Sequence, residues 1–172
     1  MKIDAIHAEA YKGGKKDTCL VAPLFEGDDP AGLPVGKTAA AALCALSAKG
    51  VFTGKTGQCQ CLPTPRDRAQ AVLAVGVGPR AKFSAEGARR AAGTAAGPLS
   101  QHRVRHVFLD ATQLTGALAD AFVEGLVLAQ YRFDVYKKGD PENGGAVEAV
   151  TLIVPDAAHP ERAARDAHRA AL

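Results

Sequence analysis

Apolar and polar positions along the chain switch between a period near two and a period near four, and the switches mark out strands and helices. Residues 2–10 set Ile3 and Ala5 between polar neighbours, which predicts a strand with one wet face, closed by Gly13-Gly14. Residues 17–25, DTCLVAPLF, form a nearly unbroken apolar run and predict a strand nearer the sheet centre. Residues 26–34, EGDDPAGLP, read as loop from their Gly, Pro and Asp content. Residues 37–49 carry the helical period, with Ala39, Leu43 and Leu46 on the inner stripe and Gly50 as the C-terminal stop. Residues 51–57, VFTGKTG, read as a turn, 58–63 as a short strand and 65–68 as a polar turn. Residues 71–77, AVLAVGV, form the most apolar strand, predicted to be central. After Gly76-Val77-Gly78-Pro79-Arg80, Ser84 caps a predicted helix over 85–100, with Glu86 in the first turn where the dipole favours an acid. Ala88, Ala91, Ala92, Ala95 and Ala96 make that helix smooth enough to lie close on a sheet. Residues 104–110, VRHVFLD, predict another strand.

The most organised stretch is 114–137, LTGALADAFVEGLVLAQYRFDVYK. Leu114, Leu118, Phe122 and Leu126 recur every four residues with Ala121, Gly125 and Ala129 beside them, one face of an amphipathic helix. It exits through Tyr131-Arg132-Phe133-Asp134-Val135-Tyr136-Lys137, where rings and charges alternate. A loop over 138–145 and a strand over 146–154 follow. Pro160 then opens a last helix running to Leu172. Strands alternating with helices predict a three-layer α/β domain with a mixed sheet flanked by helices.

Composition narrows the partners. The apolar share is dominated by alanine and there is no Trp, which predicts a core of small side chains and close backbone contacts. The net charge of +3, from 21 Lys and Arg against 18 Asp and Glu, is too small and scattered to suggest nucleic acid or a membrane surface. No apolar run approaches the roughly 18 residues of a membrane span. The opening MKIDAIHAEAYKGG is too polar for a signal peptide, so a cytoplasmic location is expected.

Candidate chemistry is sparse. Cys59-Gln-Cys61 is neither a C-x-x-C redox pair nor half of a zinc-finger set, and in a strand its thiols share one face. Buried free thiols are the expectation for Cys19, Cys44, Cys59 and Cys61. Gly54-Lys55-Thr56 echoes the end of a phosphate-binding P-loop, but Lys49 and Gly50 stand in the wrong register for the upstream glycine. The strand, Gly76-Val77-Gly78, helix order is the general shape of a phosphate cradle, yet the third glycine of the dinucleotide fingerprint is missing. His7, His102, His106, His159 and His168 are scattered, and His102 and His106 at strand spacing do not converge. Asp28-Asp29 makes a poor cation cage. Asp110, at a strand end, has no evident partner and reads as a helix cap. These residues supply no catalytic, cofactor-binding or metal-binding set.

Four stretches in order give a resemblance. Leu24-Phe25-Glu26-Gly27, Gly50-Val51-Phe52-Thr53-Gly54-Lys55, Val72-Leu73-Ala74-Val75-Gly76-Val77-Gly78 and the Tyr131 to Lys137 signature resemble the N-terminal domain of the leucyl aminopeptidase (cytosol aminopeptidase) family. The resemblance implies a macrodomain-like assembly and regulatory domain over 1–155, and over 156–172 the start of a linker helix to a catalytic domain absent from this sequence. It implies a parent enzyme that uses two divalent metal ions, zinc or manganese, to release N-terminal amino acids, leucine among them. Its partners would be its own catalytic domain and further copies, a hexamer in the family. The family's metal ligands and catalytic residues surround an N-T-D-A-E-G-R motif, which these residues lack, so none is carried over and this chain alone is expected to be inactive. A stand-alone macro-type domain binding ADP-ribose or another phosphate ligand through Gly76 to Arg80 is the alternative. A self-contained enzyme using Asp110 or Cys59 is supported by no spacing rule.

Overall fold

In the computed structural model, the structure describes residues 1–12, 17–64, 69–114, 116–130 and 147–155. The Gly13-Gly14 break, the turn at 65–68, the Tyr131 to Lys137 exit, the loop over 138–145 and the helix over 160–172 lie outside them. Six strands and three α-helices are described: β1 (Lys2–His7), β2 (Thr18–Phe25), α1 (Lys37–Ala48), β3 (Cys59–Pro63), β4 (Ala71–Gly78), α2 (Ala85–Gln101), β5 (His106–Asp110), α3 (Ala117–Gln130) and β6 (Ala149–Val154). The strands form one sheet in the order β1-β6-β5-β2-β4-β3. Every neighbouring pair is parallel except β3 with β4, so the sheet is mixed as expected.

Both faces are covered, which makes three layers. On one face Val21, Leu73, Val75, Val107, Leu109, Val150 and Leu152 pack with Ala88, Ala92 and Ala95 of α2 and with Phe122, Val123 and Leu126 of α3. On the other, Ala22, Leu24 and Ala74 pack with Leu43 of α1, Leu33 and Phe52. Tyr11, Leu20, Ala39, Val72, Phe108 and Ile153 extend that second layer. Alanine on α2 lets the helices approach as the composition predicted. A Cβ at Gly125 of α3 would stand 2.7 Å from the Arg89 Cα and carbonyl oxygen and 2.9 Å from the Ala92 Cβ. Arg89 and Glu124 pair across that crossing at 2.9 Å.

Several boundaries differ from the sequence reading, each for a physical reason. β4 is buried at every position, yet it is not central: β5 and β2 hold the middle and β4 lies next to the short edge strand β3. An all-apolar strand reports covered faces, not its rank in the sheet. β1 ends at His7, and Ala8–Ala10 form a 3-10 turn. β5 begins at His106 because residues 102–104 complete the end of α2: Val104 N–H donates to the Leu99 carbonyl at 3.0 Å, with Arg103 at φ 51°. α3 begins at Ala117, so Leu114 is buried from the preceding turn and not from the helix. At the other end Ala129 is exposed. Among the described residues no helix is long and apolar enough to cross a membrane.

Candidate functional site

In an open parallel sheet, ligands bind outside the carboxyl ends of neighbouring strands whose onward connections leave toward opposite faces. Here those strands are β2, followed by α1 on one face, and β5, followed by α3 on the other. One side chain spans this crevice. The Arg80 guanidinium donates to Asp28 Oδ2 at 2.6 Å, in the loop after β2, and to Gln113 Oε1, in the turn after β5. It also lies 4.0 Å over the Phe25 ring, which meets Phe83 edge-on at 5.2 Å. Arg80 thus ties together the loops that follow β2, β4 and β5. Its side chain is 56% exposed, so the ion pair adds little stability and its effect is to hold position. A cation so engaged is a poor receptor for a phosphate.

The two glycines of Gly76-Val77-Gly78 serve the turn at 53–57. A Cβ at Gly76 would run into the Lys55 carbonyl oxygen and stand 2.8 Å from the Gly54 carbonyl carbon. A Cβ at Gly78, where φ is +79°, would meet the Thr56 hydroxyl. Gly54 lies as close against the Phe25 carbonyl. Hydrogen bonds fix the contact: Gly78 N–H donates to the Gly54 carbonyl at 2.8 Å, and Gly76 N–H to the Gln58 carbonyl at 2.8 Å. Gln58 Oε1 accepts from the Thr53 and Lys55 N–H groups at 2.8 and 3.1 Å, closing the turn from within. The P-loop echo and the Gly-x-Gly echo are therefore two halves of one packing contact, and the turn's own backbone fills the space a phosphate would need.

The remaining candidates are separate from one another. Asp110 is 2% exposed, and its Oδ1 accepts from the Thr112 N–H at 3.1 Å and hydroxyl at 2.6 Å. It caps its own turn and not a helix, a correction that follows from α3 starting at Ala117. Burial pushes its carboxyl above the usual range, opposed by the Thr112 hydrogen bonds. Asp29 accepts from Ala31 N–H at 2.9 Å in a 3-10 turn, and Asp28 faces Arg80, so the adjacent acids point to different tasks. His102 is the C-cap of α2. His106 opens β5, with Nε2 2.8 Å from Thr151 Oγ1 and its ring stacked on Phe108 at 4.4 Å. Burial lowers its pKa, with Asp4 acting the other way. That His–Thr contact escaped the sequence reading because His106 and Thr151 meet only once β5 and β6 are aligned.

All four cysteines are free. Cys19 is buried, as expected, whereas Cys44, Cys59 and Cys61 are only half-buried. For Cys59 and Cys61 the reason is that β3 is an edge strand. Among the described residues no group of three or more His, Cys, Asp or Glu is placed to hold a metal ion.

Comparison with known proteins places these observations in a family. The sequence profile of the cytosol aminopeptidase family, N-terminal domain, matches residues 21–140. A probable cytosol aminopeptidase of Methylorubrum populi is 32% identical over 154 residues, covering 84% of this chain and 30% of that protein. One from a Geobacter species is 36% identical over 115 residues, covering 64% of this chain and 23% of that protein. The chain thus spans less than a third of the length of these relatives. Among solved structures, the bottromycin maturation enzyme BotP in complex with manganese aligns at 26% identity with a TM-score of 0.58, covering 91% of this chain and 30% of that one. A tomato leucine aminopeptidase variant aligns with a TM-score of 0.69 at 17% identity, covering 99% of this chain and 35% of that one, a likeness of fold.

Proposed function

The chain belongs to the cytosol aminopeptidase family through its N-terminal domain, and from that premise we propose that it is the assembly and regulatory part of a metal-dependent leucyl aminopeptidase acting in the cytoplasm. The parent enzyme would release N-terminal amino acids from peptides. In this reading residues 1–155 form the domain and residues 156–172 begin a linker helix to a catalytic domain. The partners are that catalytic domain and further copies of the chain, assembled as a hexamer.

The observation that carries the proposal is the profile match over 21–140, together with a strand-end crevice already filled by the chain's own groups. Two divalent ions, zinc or manganese, belong to the catalytic domain in this account. The described residues of this chain do not fit such a pair, since they bring no three donors of the needed types together. No step of the hydrolysis is therefore assigned to them. What they supply is a rigid surface: Arg80, the turn at 53–57 and the α2–α3 pair fix the loops and helices a neighbouring domain would meet.

The reading frame downstream of Leu172 tests the proposal. It is expected to continue for roughly the length of a further large domain and to contain the N-T-D-A-E-G-R motif. A stop codon directly after Leu172 would overturn it. The ADP-ribose reading has its own test in calorimetry at millimolar ligand, where no heat of binding is expected because the Lys55 carbonyl and the Thr56 hydroxyl already occupy the ground over Gly76 and Gly78.

A further inference from the structure

We infer that Cys59 and Cys61 form a two-thiol site for a soft, two-coordinate metal ion of the univalent copper class, independent of the aminopeptidase reading. The two residues sit two apart on β3, in continuous antiparallel register with Val75 and Leu73 of β4. Both side chains face the α2 layer and pack at the margin of the main core, half-buried, where solvent still reaches them. β3 is the outermost strand of the described sheet, so the pair lies along its edge.

Spacing decides what the pair can do. Strand residues two apart have Cβ atoms about 6.6 Å from each other. A disulfide needs about 3.8 Å between Cβ atoms, so the pair cannot bond directly while β3 keeps its register. Taking the zinc–thiolate length of about 2.3 Å as the scale of a metal–sulfur bond, a two-coordinate bridging ion spans about 4.6 Å between the sulfurs, which two thiols turned toward each other reach. Thiolate donors select soft ions, and two donors satisfy an ion that accepts linear coordination. Cys44 is placed as a built-in control, whereas Cys19 faces the pair from deeper in the core, and both thiols of the pair add to the rise in its pKa. Cys19 is on the same face but two strands inward and 1% exposed. Cys44 is on α1, across the sheet, with its sulfur 4.0 Å from Asp29 Oδ1.

On binding, two S–H bonds break, two copper–sulfur bonds form, two protons leave to solvent and copper stays univalent, so no oxidant or reductant is consumed. Burial holds the Cys59 thiol at about 11, with the neighbouring Cys61 adding to the shift, and burial raises Cys61 as well. Without the ion the pair therefore rests as thiols at neutral pH. With the ion, each proton must be displaced, so affinity should rise about 100-fold per pH unit below the thiol pKa values.

The test is an anaerobic titration of the 172-residue chain with Cu(I) against a chromogenic chelator, following thiolate-to-copper absorption. One ion per chain is expected, with the two-proton pH dependence. Cys59→Ser and Cys61→Ser should each lower affinity about 100-fold by removing the chelate, and Cys44→Ser should leave it unchanged. Wild-type affinity in either serine variant, or a wild-type chain binding no tighter than a chain carrying both Cys59→Ser and Cys61→Ser, overturns the inference. A second measurement needs no variant. Cu(I) loading should protect Cys59 and Cys61 together from iodoacetamide, read by peptide mass, while Cys44 still reacts. Protection of Cys44 with Cys59 and Cys61 still reactive overturns it equally.

Discussion

Replacing Gly76 by alanine separates a packing contact from a ligand cradle. The new Cβ has nowhere to go: the Lys55 carbonyl oxygen occupies its position and the Gly54 carbonyl carbon stands at 2.8 Å. Both obstacles are backbone, so no side chain can rotate away. The turn at 53–57 must lift off β4, which strains or breaks the Gly78 N–H to Gly54 and Gly76 N–H to Gln58 bonds, both 2.8 Å. Overpacking of this kind costs about 1–3 kcal/mol, and each buried hydrogen bond lost adds about 1 kcal/mol. The expected destabilisation is about 3 kcal/mol, a large part of the ~5–15 kcal/mol that holds a domain folded. With a urea slope of about 2 kcal/mol/M, the midpoint should fall by about 1.5 M. Gly93→Ala is the matched control: it lies in α2 with nothing within 4 Å of a new Cβ, and should raise stability by up to about 1 kcal/mol. If Gly76→Ala shifts the midpoint by less than about 0.3 M, the turn does not seal the Gly-x-Gly loop and the packing argument fails.

Two further substitutions test the helix layer and the buried acid. Gly125→Ala should destabilise by about 1–3 kcal/mol, because the clash 2.7 Å from the Arg89 backbone outweighs the helix propensity gained; an urea midpoint at or above wild type would show that α2 and α3 can separate freely. Asp110 tests pH linkage. Its folded-state pKa is raised by burial, so the folded chain binds the proton more tightly than the unfolded chain. The stability it contributes is complete in acid and is lost as pH rises from the ordinary carboxylate value through the folded one. Asp110→Asn keeps an acceptor for Thr112 and should gain stability relative to wild type as pH rises from about 3 to 7. A constant difference across that range in paired urea melts would refute the assignment.

The alternation of strands and helices could be read from the chain because β2 and β4 are nearly unbroken apolar runs buried at every position, while α1 and α2 bury one face through the helical period. Strand order could not: β4 is as apolar as a central strand, and only its pairing with β2 on one side and with the edge strand β3 on the other shows that it lies next to the edge. The strand-end crevice was legible in pieces. Gly54-Lys55-Thr56 and Gly76-Val77-Gly78 each stood out, but their shared purpose depends on contacts between residues more than twenty positions apart. Arg80 shows the same limit, since its partners Asp28 and Gln113 are 52 and 33 residues away and neither separation follows a local period. From the sequence Asp110 reads as a helix cap and Leu114 as part of the helix, yet the helix starts later, because Gly116 at φ +54° places a turn where the four-residue recurrence alone continues. The family resemblance succeeded where local reading stopped, since it rests on the order of stretches and not on any one of them.

In the function proposed above, this chain is the non-catalytic front part of an aminopeptidase. The most direct measurement of that is hydrolysis of a leucyl chromogenic substrate by the purified 172-residue chain with manganese or zinc added. The account predicts no release of chromophore above the buffer and metal alone. Sustained, metal-dependent hydrolysis that tracks the protein through purification would contradict it and would place a catalytic site within these residues.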